Sequence, residues 1–166
     1  MDRRRLLTGG VALAAALPAA RAVLAQEAME MGEMEMAVLE AGTFSMMTSQ
    51  LAMEKGESDA VKVFAELETA EQMAVARAFG AEGAEIPLRE DHAQIMEQLQ
   101  AAEGAEFDML YLDTQIAAHE EGRPIFEQYA ESGEMEMGRG ATMVGVPSID
   151  THLVMLRSFR QQVQAG

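Results

Sequence analysis

Apolar residues recur along the chain at intervals of three and four, with glycine, proline and serine at the breaks and almost no period-two alternation. Four main helices are expected. The first, about 34–55, sets Met36, Leu39, Glu40, Thr43, Met47 and Leu51 on one side and stops at Gly56. Ser58 caps the second, which runs to about Phe79 and turns Val61, Phe64, Ala65, Glu68, Gln72, Val75 and Phe79 inward, so two polar residues interrupt an apolar stripe. A loop with Pro87 leads to a short helix, about 90–102, carrying Ile95, Met96 and Leu99. The third long helix, about 105–131, aligns Phe107, Leu110, Tyr111, Thr114, Ala118, Ile125 and Tyr129, with Leu112, Ile116, His119 and Phe126 alongside and a kink at Pro124. The last is the least regular. Gly138, Gly140, Gly145 and Pro147 crowd its first half, and its strong part begins near Ser148, with Ile149, Leu153, Leu156, Phe159 and Val163 on one face. The pattern predicts an all-α domain over residues 34–166, an up-and-down four-helix bundle with a short extra helix between the second and third.

Ahead of the domain, Asp2-Arg3-Arg4-Arg5-Leu6-Leu7-Thr8 places charge before a Gly/Ala-rich apolar stretch, the order of a signal peptide. Residues 6–20 are too few to span a hydrocarbon core, which needs about 20 apolar residues, and Pro18 interrupts them. Small residues permit cleavage after Ala25 or after Ala22; Ala25 is preferred, leaving a Met/Glu-rich segment, 26–33, before the domain. The arginines and the weak apolar stretch suit the twin-arginine route for folded cargo better than the general secretory route. A soluble periplasmic or secreted product is expected, with no stable membrane insertion.

Cleavage changes the charge picture. Losing four arginines and one aspartate from 12 basic and 28 acidic side chains leaves 8 and 27, a net charge of −19. Nucleic acid and anionic lipid are disfavoured as partners, while cation binding is electrostatically permitted. With no cysteine, neither a disulfide nor a thiolate metal site contributes.

The order of segments resembles the DUF4142 family of exported bacterial ferritin-like bundles. The likeness rests on Glu57-Ser58-Asp59-Ala60-Val61-Lys62-Val63-Phe64-Ala65 opening the second helix and on Gly104-Ala105-Glu106-Phe107-Asp108-Met109-Leu110-Tyr111-Leu112-Asp113 opening the third. It rests also on His119-Glu120 and on Pro147-Ser148-Ile149-Asp150-Thr151-His152-Leu153. The resemblance implies a ferritin-like fold and no particular activity. Where the family usually has an acidic residue followed by histidine in the second helix, this chain has Glu71-Gln72, so one potential ligand is missing.

Two constellations carry candidate chemistry. A carboxylate-bridged di-iron site needs Glu-x-x-His pairs, and the residues three before His92, His119 and His152 are Arg89, Ile116 and Ile149, which disfavours a ferroxidase or oxygenase. A less regular core site could gather Glu40, Glu68, Glu71, His119 and His152. Glu68 is its most informative member, because a carboxylate in an apolar stripe must be paired, protonated or ligating. A buried Glu68 hydrogen-bonded to His119, His152 or Tyr111 is the structural reading of the same residues.

The second constellation is methionine: Gly32-Glu33-Met34-Glu35-Met36 is repeated as Gly133-Glu134-Met135-Glu136-Met137, with Met143 following. Met34, Met36, Met135, Met137 and Met143 could hold a soft ion such as Cu(I), or serve packing. His92 reads as a surface residue and Ser148 as a helix N-cap, and no nucleophile motif stands out. An enzyme is therefore disfavoured. The reading is a non-catalytic bundle of the cell envelope, in a stress-related role, that binds an unidentified protein or small ligand. Periplasmic metal binding is the alternative. A metal ion is the one cofactor these residues point to, and self-association stays open.

Overall fold

The computed structural model describes residues 31–165, so the segment 1–25 expected to be a signal peptide and residues 26–30 of the Met/Glu-rich segment lie outside the described residues. Among the described residues there are five helices and no strand: α1 (Glu33–Lys55), α2 (Asp59–Ala78), α3 (Glu90–Ala101), α4 (Gly104–Ser132) and α5 (Glu136–Ala165). No helix among them is long and apolar enough to cross a membrane. The helix α1 packs on α2 and α4, and α5 packs on α4 and α2, so the four long helices enclose one interior; α3 lies against α1 and α4. Phe64 meets His152, Glu71 meets Ser148 and Phe79 meets Gly138, which makes α2 and α5 antiparallel.

All seven residues expected to line α2 are buried. The face of α1 departs from expectation: Leu39 is buried as expected, together with Glu35, Val38, Gly42, Phe44, Ser45, Thr48, Ser49 and Ala52, while Met36, Glu40, Thr43, Met47 and Leu51 are only half-buried. Ser45, Thr48 and Ser49 in its middle meet the buried polar layer, while Val38, Leu39 and Ala52 join the apolar clusters on either side. Ser58 stands at the start of α2, yet its hydroxyl caps nothing. Asp108 of α4 does that work across the interior, accepting from the backbone N–H of Glu57 at 3.1 Å and of Ser58 at 2.7 Å.

The last helix also departs from the sequence pattern. It is continuous from Glu136, through Pro147. Its early glycines are contact points for rings: a Cβ at Gly145 would lie 2.7 Å from Phe126, and one at Gly138 would lie 2.9 Å from Tyr129. Helix propensity is given up there for close approach.

Two apolar clusters fill the interior. One gathers Val61, Phe64, Leu99, Phe107, Leu112 and Leu156; the other gathers Val38, Val75, Phe79, Phe126, Tyr129 and Ile149. Each fully buried Phe or Leu contributes about 1.5–3 kcal/mol. Between the clusters, α1, α2 and α4 contribute a polar layer of Ser45, Glu68, Gln115 and His119, all 5 % exposed or less. An apolar interior tolerates such groups only when each finds a partner.

Candidate metal centre

Glu68 projects from the middle of α2 with no exposure at all. Its Oε1 is well satisfied. Ser45 Oγ lies 2.7 Å away and Gln72 Nε2, one turn further along α2, donates at 2.9 Å. Ser45 Oγ is also 2.7 Å from Gln115 Oε1, so its single proton serves one oxygen at a time. Gln115 Nε2 lies 2.7 Å from Thr48 Oγ1, 3.1 Å from the Ser45 carbonyl oxygen and 3.2 Å from Ser49 Oγ, and Ser49 Oγ lies 2.9 Å from Tyr111 Oη. Tyr111 thus pairs with Ser49 and not with Glu68. A polar chain fixes one edge of the carboxylate.

The other edge is different. Glu68 Oε2 is buried and has no hydrogen-bond partner among the described residues. It faces His152 Nδ1 at 3.1 Å and His119 Nε2 at 3.5 Å, and those two nitrogens are 3.1 Å apart. His119 Nδ1 sits 2.8 Å from the backbone carbonyl oxygen of Gln115. A carbonyl only accepts, so Nδ1 carries the hydrogen and Nε2 of the neutral ring offers its lone pair. His152 turns its other nitrogen, Nε2, toward Glu71 Oε2 at 3.6 Å and Ser148 Oγ at 3.5 Å. The Ser148 hydroxyl donates to Glu71 Oε2 at 2.9 Å. Three potential ligand atoms converge from three helices. Such a triangle needs a hydrogen or a cation among its three atoms: an N–H on His152 Nδ1, in the neutral or the charged ring, or a metal ion between them.

Burial opposes ionisation of Glu68, but the two imidazoles and the Ser45 hydroxyl reverse this, and the carboxyl is held well below the usual carboxylate range. Burial likewise depresses the His152 pKa, and the Glu68 and Glu71 carboxylates more than offset it, leaving it raised. A space of about 20 Å³, bordered by Ser45, Glu68, Gln72 and His119, adjoins the triangle. Water needs about 10–15 Å³ of such space. Gln72 Oε1 borders it as a second buried oxygen without a partner.

Of the five core candidates, Glu68, His119 and His152 come together, and they are the one His/Asp/Glu group among the described residues spaced to hold a metal ion. Glu71 stands behind His152. Glu40 does not join them: it is a half-buried residue of α1 whose charge acts on His92. Two further expectations are corrected. His92 is not on the surface; it is 6 % exposed and stacked on Phe44 at 3.8 Å, because α3 folds over α1. Ser148 lies inside α5, where its hydroxyl holds Glu71 and caps no helix. Ser45 and Gln115 escaped the sequence reading, since nothing in an isolated serine or glutamine marks it as inward; Gln72 was visible as a break in the α2 stripe.

The methionine repeats meet at one end of the molecule, where Tyr129 Oη donates to Glu35 Oε1 at 2.7 Å and accepts from the Met135 N–H at 3.3 Å. The contact runs through tyrosine and glutamate. Met34 Sδ accepts from Gln128 Nε2 at 3.7 Å and Met36 is half-buried, whereas Met135 is 37 %, Met137 69 % and Met143 64 % exposed.

The profile of the domain of unknown function DUF4142 matches residues 13–159, and the chain belongs to that family. No curated protein and no solved structure matches it.

Proposed function

We propose that this DUF4142 protein binds one divalent first-row metal ion through Glu68 Oε2, His119 Nε2 and His152 Nδ1, acting in the cell envelope as an exported binding protein and not as an enzyme. The observation that carries the reading is the triangle of potential ligand atoms with edges of 3.1, 3.1 and 3.5 Å, one corner being a buried oxygen without a partner. With metal–ligand bonds of about 2.0–2.1 Å, two ligands of a tetrahedral ion lie about 3.3–3.4 Å apart. Two imidazoles and a carboxylate suit zinc, iron or manganese better than a soft ion. The Gln115 carbonyl behind His119 and Glu71 behind His152 are the outer partners that fix a ligating imidazole. The adjoining space has room for a water on the ion, and Gln72 Oε1 is the acceptor such a water would meet. The helix arrangement is read as an up-and-down, ferritin-like four-helix bundle, with the metal held singly and no Glu-x-x-His pair.

The test is elemental analysis of mature protein recovered from its native compartment without chelators. One ion per chain is expected in the wild type and in a Met135/Met137/Met143→Leu variant, and at least about a 100-fold loss of affinity in His119→Ala. A metal-free wild type, or an ion retained by His119→Ala, would sink the reading. A copper content that disappears with the methionines would favour the soft-ion site in its place.

A further inference from the structure

A second site lies apart from the Glu68 triangle and does not rest on the metal reading. Between α1, α2 and the loop that follows α2 there is a cavity of about 240 Å³. Val38, Leu39, Met46, Val75 and Ile86 give it apolar walls, and neither His119 nor His152 lines it. No lysine, arginine or histidine lines it either, and its one charged side chain, Glu82, is exposed and bound to Arg77 at 2.6 Å. An anion would find no counter-charge there and a cation no unpaired carboxylate, so an ionic ligand would bear the cost of desolvation uncompensated. Size narrows the ligand further. A cavity of about 150 Å³ admits benzene, and the same density in this one corresponds to about ten non-hydrogen atoms.

One polar group marks the inner wall. Gln72 Nε2 donates to Glu68 Oε1 at 2.9 Å, and because a carboxylate only accepts, the amide is fixed with its oxygen turned away from Glu68. That oxygen, Oε1, is buried without a hydrogen-bond partner among the described residues, in a side chain only 9 % exposed. It lies beside Gly42, another wall residue, where a Cβ would sit 2.6 Å from it, so a larger side chain would cover the oxygen or displace it. With glycine there, a small turn about the soft last torsion of Gln72 brings the oxygen to the cavity surface. A bare buried amide oxygen is costly, and a ligand that donates to it removes the cost. Its two lone pairs serve a ligand as well as the water proposed on the ion.

We propose that this cavity binds a neutral hydrophobic alcohol of about ten non-hydrogen atoms, its chain among the apolar walls and its hydroxyl donating to Gln72 Oε1. The test is isothermal titration calorimetry of the full mature chain, treated with chelator, against nonanol, octyl methyl ether and octanoate, probes of about the same size. The alcohol donates and accepts, the ether only accepts, and the carboxylate is charged. Nonanol should bind with a dissociation constant of about 0.1 mM, the ether about tenfold more weakly, and octanoate without saturation. Gln72→Met, which removes the acceptor, should bind alcohol and ether equally. Ala84→Phe fills the cavity from the loop and Ala76→Leu from α2, and each should bind nonanol at least about tenfold more weakly with helical circular dichroism unchanged. A wild type that does not saturate with nonanol would overturn the proposal, as would ether or octanoate binding as tightly as the alcohol. So would a Gln72→Met variant that keeps the preference for alcohol, or wild-type affinity in both cavity-filling variants.

Discussion

The Glu68 layer and the methionine-rich end both draw ligand-type side chains from separate helices, and they differ in what holds those side chains still. Around Glu68, each donor has a partner behind it: Ser45 and Gln72 on the carboxylate, the Gln115 carbonyl on His119, and Ser148, itself bonded to Glu71, beside His152. At the other end, Tyr129 binds the two repeats through Glu35 and the Met135 backbone, while Met137 and Met143 extend into solvent. Donor residues become a site when their partners remove conformational freedom before the ion arrives, and flexible thioethers in water have no such partners. Buried position also changes the cost of error. A donor left unpaired in the Glu68 layer carries its full desolvation penalty, whereas an exposed methionine is nearly neutral to replace.

Stability measurements should show the same division. Replacing Glu68 by Ala removes the acceptor for Ser45 and Gln72 and leaves a cavity, and the metal-free protein should lose about 3 kcal/mol in a chemical denaturation experiment. Met137→Ala should change stability by less than about 0.5 kcal/mol. Equal losses would mean that the buried layer is no more tightly organised than the exposed end.

A smaller effect follows from titration. The lowered pKa of Glu68 means that its carboxylate adds stability above the ordinary value of 4.5 and loses it as the pH falls toward the folded value. The raised pKa of His152 means the opposite: its contribution is complete below 6.5 and fades as the pH rises through the folded value. The stabilisation of the metal-free protein by this pair should therefore be greatest between about pH 4.5 and 6.5. An ion on His152 replaces the proton, so thermal melts with and without zinc should separate increasingly above that window. A separation that shrinks as the pH rises would contradict this.

The sequence carried the helices and half of the site. Glu68 and Gln72 were legible because each breaks a regular apolar stripe, and His119 because it lies beside one. Ser45 and Gln115 were not, since each is an isolated polar residue whose inward position is set by partners on another helix. Glu40 was placed with the ligands, although its charge acts on His92. Gly138 and Gly145 read as helix breakers because the rings of Phe79, Tyr129 and Phe126 that need their missing side chains are remote in sequence. Asp108, 50 residues from the backbone it caps at Ser58, is hidden for the same reason.

The most direct test of the proposed site is X-ray absorption at the edge of any metal that co-purifies with the protein. The Glu68 site should give a shell of nitrogen and oxygen at about 2.0–2.1 Å, with the outer scattering of two imidazoles and no sulfur. A sulfur shell near about 2.3 Å without imidazole scattering would place the ion among the methionines and contradict the account.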